Sequence, residues 1–164
     1  MKNSLIAGLI GALSLVSFNA SAEWMTKVED DLFSGGKQAM MYGTISQING
    51  IIFDCTKDEL SLSYVEKGPF NAKEPIPLAI IVKVDGNDPL KLEGNFKKRN
   101  DEYMQAISNQ ADIVQVLSQL KQAKSKFLIG LNVQAVNKKM SFTADVVGST
   151  KAVNDFAEAC EIKL

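Results

Sequence analysis

The chain has 164 residues, with 18 Lys or Arg, 19 Asp or Glu, and no His. Without histidine, the sequence excludes Ser-His-Asp and Cys-His catalysis, imidazole metal ligands and an imidazole general base. The near-balanced charge argues against a nucleic-acid binder, which would present a strongly basic face. The basic clusters are therefore interpreted as solvated turns and helix ends: Lys97-Lys98-Arg99, and Lys121, Lys124 and Lys126.

Residues 1–22 have the three parts of a secretory signal peptide. Lys2 provides a positive start, residues 5–18 are apolar, and Ala20-Ser21-Ala22 offers a small-x-small cleavage site. The alternative is a membrane anchor, but the apolar run is shorter than the roughly 20 residues that span a bilayer. We therefore expect cleavage after Ala22. Residues 23–164 then form a single globular domain, in the periplasm or secreted, with no stable membrane anchor.

Trp24 stands two residues into the expected mature chain. Two interpretations remain open for it: an anchor of the N-terminal segment on the core, or an aromatic contact for a partner. Residues 66–77, rich in Gly and Pro, predict a long irregular loop that serves as a connector or as a binding loop. Pro69 and Phe70 in this loop are, with Trp24, the possible partner-binding residues.

Period-two apolar patterns predict a mostly antiparallel β protein. Asn137-Lys138 predicts the turn of a hairpin, since Asn tolerates positive φ. The residues predicted to share strand faces are, in chain order, Met41, Gly43 and Ile45; Ile51, Phe53 and Cys55; Leu60, Leu62 and Tyr64; 78–84; 103–107; Phe127, Ile129, Leu131, Val133 and Ala135; and Met140, Phe142, Ala144 and Val146.

Two helices are predicted in the last third of the chain, each with apolar spacings of three and four. Asn109 is the expected cap of the first, and Ser149 or Thr150 the expected cap of the second. Asp112 is expected in the first turn of the first helix, and Lys121 and Lys124 in its last turn, in agreement with the helix dipole. The apolar stripes are Ile113, Val116, Leu117 and Leu120, then Val153, Phe156, Ala157 and Cys160.

Cys55 and Cys160 are the two cysteines of the chain. An even count in an exported domain predicts a disulfide, and a loop of this length is worth about 4–5 kcal/mol in the chain-entropy model. The alternative, a redox-active pair, normally uses a Cys-x-x-Cys spacing. A structural disulfide that fixes the last helix to the sheet is the prediction.

Paired carboxylates are the remaining route to catalysis, as in glycoside hydrolysis. The candidates lie side by side or in turns, where acids are common for backbone reasons: Glu29, Asp30 and Asp31; Asp58 and Glu59; Asp85 and Asp88; Asp101 and Glu102. Asp85-Gly86-Asn87-Asp88 is interpreted as a β-turn, because a calcium loop requires further ligands at set spacings. No catalytic residue, metal or cofactor is predicted.

The layout resembles the invasion-associated locus B family and a related periplasmic group encoded with type VI secretion systems. The resemblance is carried by three features: Trp24, the segment Ile52-Phe53-Asp54-Cys55, and the ending Phe142…Gly148-Ser149-Thr150-Lys151-Ala152…Phe156…Cys160. The sequence departs from those families in lacking an Arg-x-Asp element near its middle, and Lys83-Val84-Asp85 is the nearest match. The resemblance implies a disulfide-bonded β-sandwich that binds partners without catalysis.

Together these observations predict a mainly β fold, an antiparallel β-sandwich or twisted sheet with two helices packed on it and one disulfide. The function expected is that of an exported, non-enzymatic binding or accessory protein of the cell envelope, acting on another protein and not on nucleic acid. The alternatives are an inhibitor or immunity protein that neutralises a periplasmic hydrolase toxin, and a carboxylate enzyme. The sequence assigns no oligomeric state.

Overall fold

The computed structural model describes residues 24–33 and 35–164, so the predicted signal peptide and its cleavage site lie outside the described residues. Nine strands and two helices follow one another along this part of the chain. They are β1 (Met25–Asp31), β2 (Gly36–Thr44), β3 (Asn49–Cys55), β4 (Leu60–Lys67), β5 (Ile76–Val84), β6 (Leu90–Lys98), β7 (Tyr103–Ser108), α1 (Ile113–Lys121), β8 (Phe127–Val133), β9 (Lys138–Ala144) and α2 (Ser149–Ala159).

All nine strands form one antiparallel sheet in the order β1-β2-β3-β4-β7-β6-β5-β8-β9. The sheet curls until its two ends meet. The backbone N–H of Trp24, just before β1, donates to the carbonyl of Val147, just after β9, at 2.9 Å. The prediction of a mainly β protein with two helices packed on a sheet and one disulfide is confirmed, and its twisted-sheet form is the one observed.

The core lies on the concave inner face of the sheet, where both helices pack. The α1 stripe Ile113, Val116, Leu117 and Leu120 is fully buried, as predicted. Tyr64 of β4 stacks on Phe142 of β9 with ring centroids 4.4 Å apart, so strands far apart in the sheet order meet inside the curl. The alternating apolar residues of the strands thus share one interior with the two helices.

Two strands were missed by the sequence patterns, each for a physical reason. β1 is an edge strand whose residues are mostly exposed, so it carries no apolar alternation. In β6 the alternation is broken by Gly94, where a Cβ would lie 2.4 Å from the backbone oxygen of Ile107. Elsewhere, β4 extends through Lys67 and β5 begins at Ile76, so the predicted loop 66–77 is reduced to residues 68–75.

The predicted hairpin turn is confirmed at Asn137, which adopts the expected positive φ, 50°. The turn is longer than predicted, however. Ala135 lies in a 3₁₀ turn, Gln134–Val136, and is not on the strand face. Lys138 already belongs to β9.

The predicted cap of α1 is wrong. α1 begins at Ile113 with Asp112 as its N-cap residue and without a side-chain cap. Carbonyls three residues back, including that of Gln110, accept the first free N–H groups, so Asn109 is not needed there. Lys121 lies in the last turn as expected, whereas Lys124 lies beyond the helix end.

The predicted hydroxyl cap of α2 is also wrong, because Gly148 at φ 79° is its N-cap residue. The hydroxyls of Ser149 and Thr150 instead donate to the carbonyls of Leu120 and Lys121, at 3.1 and 2.9 Å. They therefore satisfy the free carbonyls at the end of α1 and join the two helices.

Candidate binding groove on the outer face of the sheet

A groove of about 470 Å³ lies on the convex face of the sheet, and we name it the outer groove. It runs over β2, β3 and β4 and is bordered by the β2–β3 and β6–β7 turns. Apolar residues from the strands and one turn form its floor and one rim: Met40, Tyr42, Ile48, Ile52 and Val65. Polar residues close the other side: Arg99, Asn100 and Tyr103.

Strand register explains why the floor is apolar. Tyr42 of β2 lies opposite Ile52 of β3, and both side chains alternate with core residues such as Met41 and Phe53. These strands therefore carry apolar side chains on both faces, although the core covers only the inner one. Tyr42 and Ile48 remain 36% and 53% exposed. An uncovered apolar surface framed by polar residues is typical of an interaction site.

The wall of the groove is formed by the side chain of Arg99, which reaches across the outer face from the β6–β7 turn to β3. Its two terminal nitrogens donate to the two carboxylate oxygens of Asp54, at 3.0 and 3.2 Å. The same guanidinium donates to Gln105, at 3.0 Å, and the hydroxyl of the buried Ser63 donates to that amide oxygen at 3.2 Å. A bidentate pair of this kind fixes the position of the arginine, so the wall is preformed.

The far rim, the β2–β3 turn, is equally well held. The carbonyl of Asn49 accepts from the N–H groups of Ile45 and Ser46, at 3.1 and 3.0 Å. The side chain of Asn49 donates to the hydroxyl of Tyr64 at 3.1 Å, and that hydroxyl donates to Glu66 at 2.6 Å. Burial, followed by the hydrogen bond to Glu66, raises the pKa of Tyr64 well above its ordinary value. The phenol therefore stays neutral and keeps donating.

The lining of the outer groove is almost uncharged. Within the part of the chain that the structure describes, Arg99 is the only charged residue that lines it, and its charge is paired with Asp54. The lining carries no carboxylate pair and no thiol. A floor of Tyr, Ile, Met and Val with a polar rim matches the composition of protein–protein interfaces.

The predicted disulfide is confirmed. Cys55 at the end of β3 is bonded to Cys160, the C-cap residue of α2, with Cα atoms 6.1 Å apart. Cys55 is buried and Cys160 is half-buried. The bond fixes the last helix to the sheet, and it is consistent with an oxidising, exported location.

Trp24 proves to be an anchor. Its side chain is only 3% exposed, and its ring packs against those of Phe53 and Phe127 with centroids 6.1 and 5.5 Å away. The indole N–H donates to the carbonyl of Asp145 at 2.7 Å. This corrects the partner-contact interpretation of Trp24, because the flat indole fills the space above Gly43 and is removed from the surface.

Pro69 and Phe70 lie apart from Trp24 and do not line the outer groove. Pro69 is exposed, whereas Phe70 is half-buried and packs edge-to-face on Phe96, with centroids 5.5 Å apart. The structure thus does not bring the three predicted partner-binding residues together. Phe70 attaches its loop to β6, while Pro69 remains available on the surface.

Several of the acids considered for catalysis have structural partners. Glu29 pairs with Lys27, and Asp101 pairs with Lys98. Asp85, at φ 51° in the β5–β6 turn, accepts from the backbone N–H groups of 124, 125 and 126 and from the Ser125 hydroxyl, at 2.7–2.9 Å. These hydrogen bonds, led by that from residue 126, hold the pKa of Asp85 far below its ordinary value.

Among residues 24–33 and 35–164, no three His, Cys, Asp or Glu side chains converge in a way that would hold a metal ion. Over the same residues, no helix combines the length and apolar character required to cross a bilayer.

The residues of the outer groove were not predicted as a site. Their local signal is the run of consecutive apolar residues in β2 and β3, Ala39-Met40-Met41-Tyr42 and Ile51-Ile52-Phe53, which indicates strands that are apolar on both faces. Arg99 gave no such signal and was interpreted as part of a solvated cluster. Its role depends on Asp54, which is 45 positions away in sequence.

Comparisons with family models, with curated proteins and with solved structures gave no match to this chain. The resemblance to the invasion-associated locus B family therefore stays a prediction.

Proposed function

We propose that this chain is an exported, non-enzymatic binding protein of the cell envelope that holds a segment of another protein in the outer groove. The observation that carries the proposal is the uncovered apolar floor on the convex face of a sheet whose concave face is already packed. Export after cleavage at Ala22 is part of the proposal, supported by the signal-like sequence 1–22 and by the disulfide.

The kind of partner follows from the lining. Tyr42, Ile48 and Ile52 offer apolar contacts, and tyrosine is among the residues that, once desolvated at the centre of an interface, dominate its affinity. Asn100 and the β2–β3 turn supply polar groups at the rim. The Arg99 wall and the β2–β3 turn are both held by hydrogen bonds before a partner arrives. Binding therefore costs little conformational entropy in the groove itself. A partner that inserts a few apolar side chains suits this surface.

The test is a pull-down from a periplasmic extract with the oxidised protein and two groove variants, Ile48→Glu and Ile52→Glu. Val136→Glu is the matched control, because Val136 is 67% exposed in the β8–β9 turn and outside the groove. We expect proteins retained by the wild type and by Val136→Glu to be lost from both groove variants. Circular dichroism before the assay confirms that each variant is folded.

Two outcomes would redirect the proposal. If all variants retain the same proteins, the outer groove is not the binding surface. If the protein lost from the groove variants is a hydrolase whose activity falls on binding, the inhibitor or immunity function replaces the accessory one.

A further inference from the structure

A second surface, the tip of the β1–β2 hairpin, carries two exposed apolar side chains. Leu32 and Phe33 are 90% and 102% exposed. The strand end beside them is held in place, since Phe33 N–H donates to the Asp31 carboxylate at 2.9 Å and Gly35 N–H donates to the Asp31 carbonyl at 3.0 Å. We name Leu32 and Phe33 the hairpin tip. Two adjacent large apolar side chains with this exposure mark an interaction site.

Negative charge gathers beside the hairpin tip in a shallow depression of about 580 Å³ between the hairpin and the end of α2. We name this depression the acidic cleft. Lys37 is the only cation in its lining within the described residues, against four acids: Asp30, Asp155, Glu158 and Glu161. These acids do not converge closely enough to hold a metal ion.

The placement of the acids on α2 is electrostatically unfavourable for the chain itself. Glu158 lies in the last turn of the helix and Glu161 just beyond it, where the helix dipole presents its negative end. The last turn contains no basic residue. Of these acids, Asp155 pairs with a lysine, Lys151. The negative charge of Glu158 and Glu161 thus lowers the stability of α2 in the free protein. Its presence is explained if cations of a partner neutralise it.

We propose that the hairpin tip and the acidic cleft together dock a partner protein whose surface presents an apolar pocket bordered by Lys or Arg side chains. Leu32 and Phe33 fill the pocket, and Asp30, Glu158 and Glu161 face the basic rim. An anionic membrane surface is a poorer occupant because these acids would be repelled by its charge.

This surface is separate from the outer groove. The hairpin tip precedes Gly36, whereas the groove residues of β2 run from Met40 to Thr44, so along the strand the two surfaces are on the order of 13–26 Å apart at 3.3 Å per residue. The inference rests on the proposed function only in that the chain acts by binding proteins. Two partners can be held at once, one at each end of the strand.

The test places a benzophenone amino acid at Leu32 in the full-length protein and irradiates the cells that produce it. Val136 is the control position. We expect a cross-link to another protein from position 32 that is at least five-fold stronger than from position 136. The purified partner should then bind with a Kd that rises at least ten-fold on Phe33→Glu and rises with salt, as charge complementarity requires.

Charge reversal at the end of α2 separates binding from folding. Glu158→Lys and Glu161→Lys should leave the melting temperature unchanged or raise it, because lysine is favourable at a helix C-terminus. The same changes should lower the yield of the cross-link at least five-fold. Asp88→Lys, an equal charge change at an exposed turn residue outside the acidic cleft, should leave the yield unchanged.

Several results would overturn the inference: no cross-link above the control, a cross-link to lipid, a cross-link to a second copy of this chain, or a yield unaffected by charge reversal. Ile48→Glu and Ile52→Glu should leave the cross-link in place. If the hairpin tip fails while the groove variants still lose their partner, only this inference falls and the proposed function stands.

Discussion

The close approach of Trp24 to Gly43 yields the most stringent prediction. In Gly43→Ala the added methyl carbon would lie 2.5–2.7 Å from three carbons of the indole. Carbon atoms pack favourably at about 3.5–4.0 Å, so the ring or the strand must move by about 1 Å. The ring is confined, since it lies between Phe53 and Phe127 and its N–H is bonded to the Asp145 carbonyl.

The expected cost follows from these contacts. Overpacking of a filled core costs about 1–3 kcal/mol, and a strained or lost indole hydrogen bond adds about 1 kcal/mol. The reduced entropy of the unfolded chain offsets about 0.4–1 kcal/mol. We therefore expect Gly43→Ala to lower the free energy of unfolding by about 1–3.5 kcal/mol. Gly130→Ala is the control, with its nearest neighbours at 3.7 Å, and should change it by less than about 1 kcal/mol.

Urea unfolding monitored by fluorescence and circular dichroism measures both effects, and Trp24, the only tryptophan of the chain, is itself the fluorescent probe. A double-mutant cycle then isolates the contact. In a Trp24→Leu background, monitored by circular dichroism alone, Gly43→Ala should cost at least about 1 kcal/mol less than in the wild type. An equal cost in both backgrounds would show that the indole does not limit residue 43.

Three further predictions concern stability. Asp85→Asn should cost about 1–2 kcal/mol at pH 7, a value kept modest by solvent. Because the folded pKa lies below the ordinary 3.8, this advantage of the wild type is complete above that pH and is lost as the pH falls from there. Acid unfolding curves of the wild type and of Asp85→Asn should therefore converge as the pH falls. Replacing Cys55 and Cys160 together by Ser should lower the free energy of unfolding by about 3–5 kcal/mol, and an equal urea midpoint for both proteins would refute this. Arg99→Lys should cost about 1–3 kcal/mol, since lysine cannot reproduce the bidentate pair; a melting temperature unchanged within error would argue against the network.

The sequence is sufficient to predict the structure where the environment of a residue depends on its near neighbours in the chain. The inward alternation of β3 and the spacing of the α1 stripe follow from strand and helix periodicity, and both are observed. The edge strand β1 could not be predicted in this way, because an exposed strand carries no apolar pattern. Likewise, sequence reasoning assigns the hydroxyls of Ser149 and Thr150 to the start of their own helix. In the fold they donate instead to carbonyls at the end of α1.

The candidate site was harder to predict than the fold. An apolar run such as Ile51-Ile52-Phe53 indicates a strand with two apolar faces, but it does not say whether a second layer covers the outer one. Only the complete sheet order shows that both helices lie inside the curl. The wall of the outer groove depends likewise on Arg99 and Asp54, which come together only when β6, β7, β4 and β3 are assembled.

The contact between Trp24 and residues 145–147 also bears on the order in which the chain acquires its structure. Synthesis proceeds from the N-terminus, so β1 emerges early, whereas the carbonyls that hold Trp24 emerge when most of the chain has been made. Contacts of such long sequence separation form slowly. A nascent chain stalled before residue 145 could already pair β1 with β2, but its Trp24 would lack both carbonyl partners. The environment of Trp24 is therefore completed only late, although the residue belongs to the first segment of the chain that the structure describes.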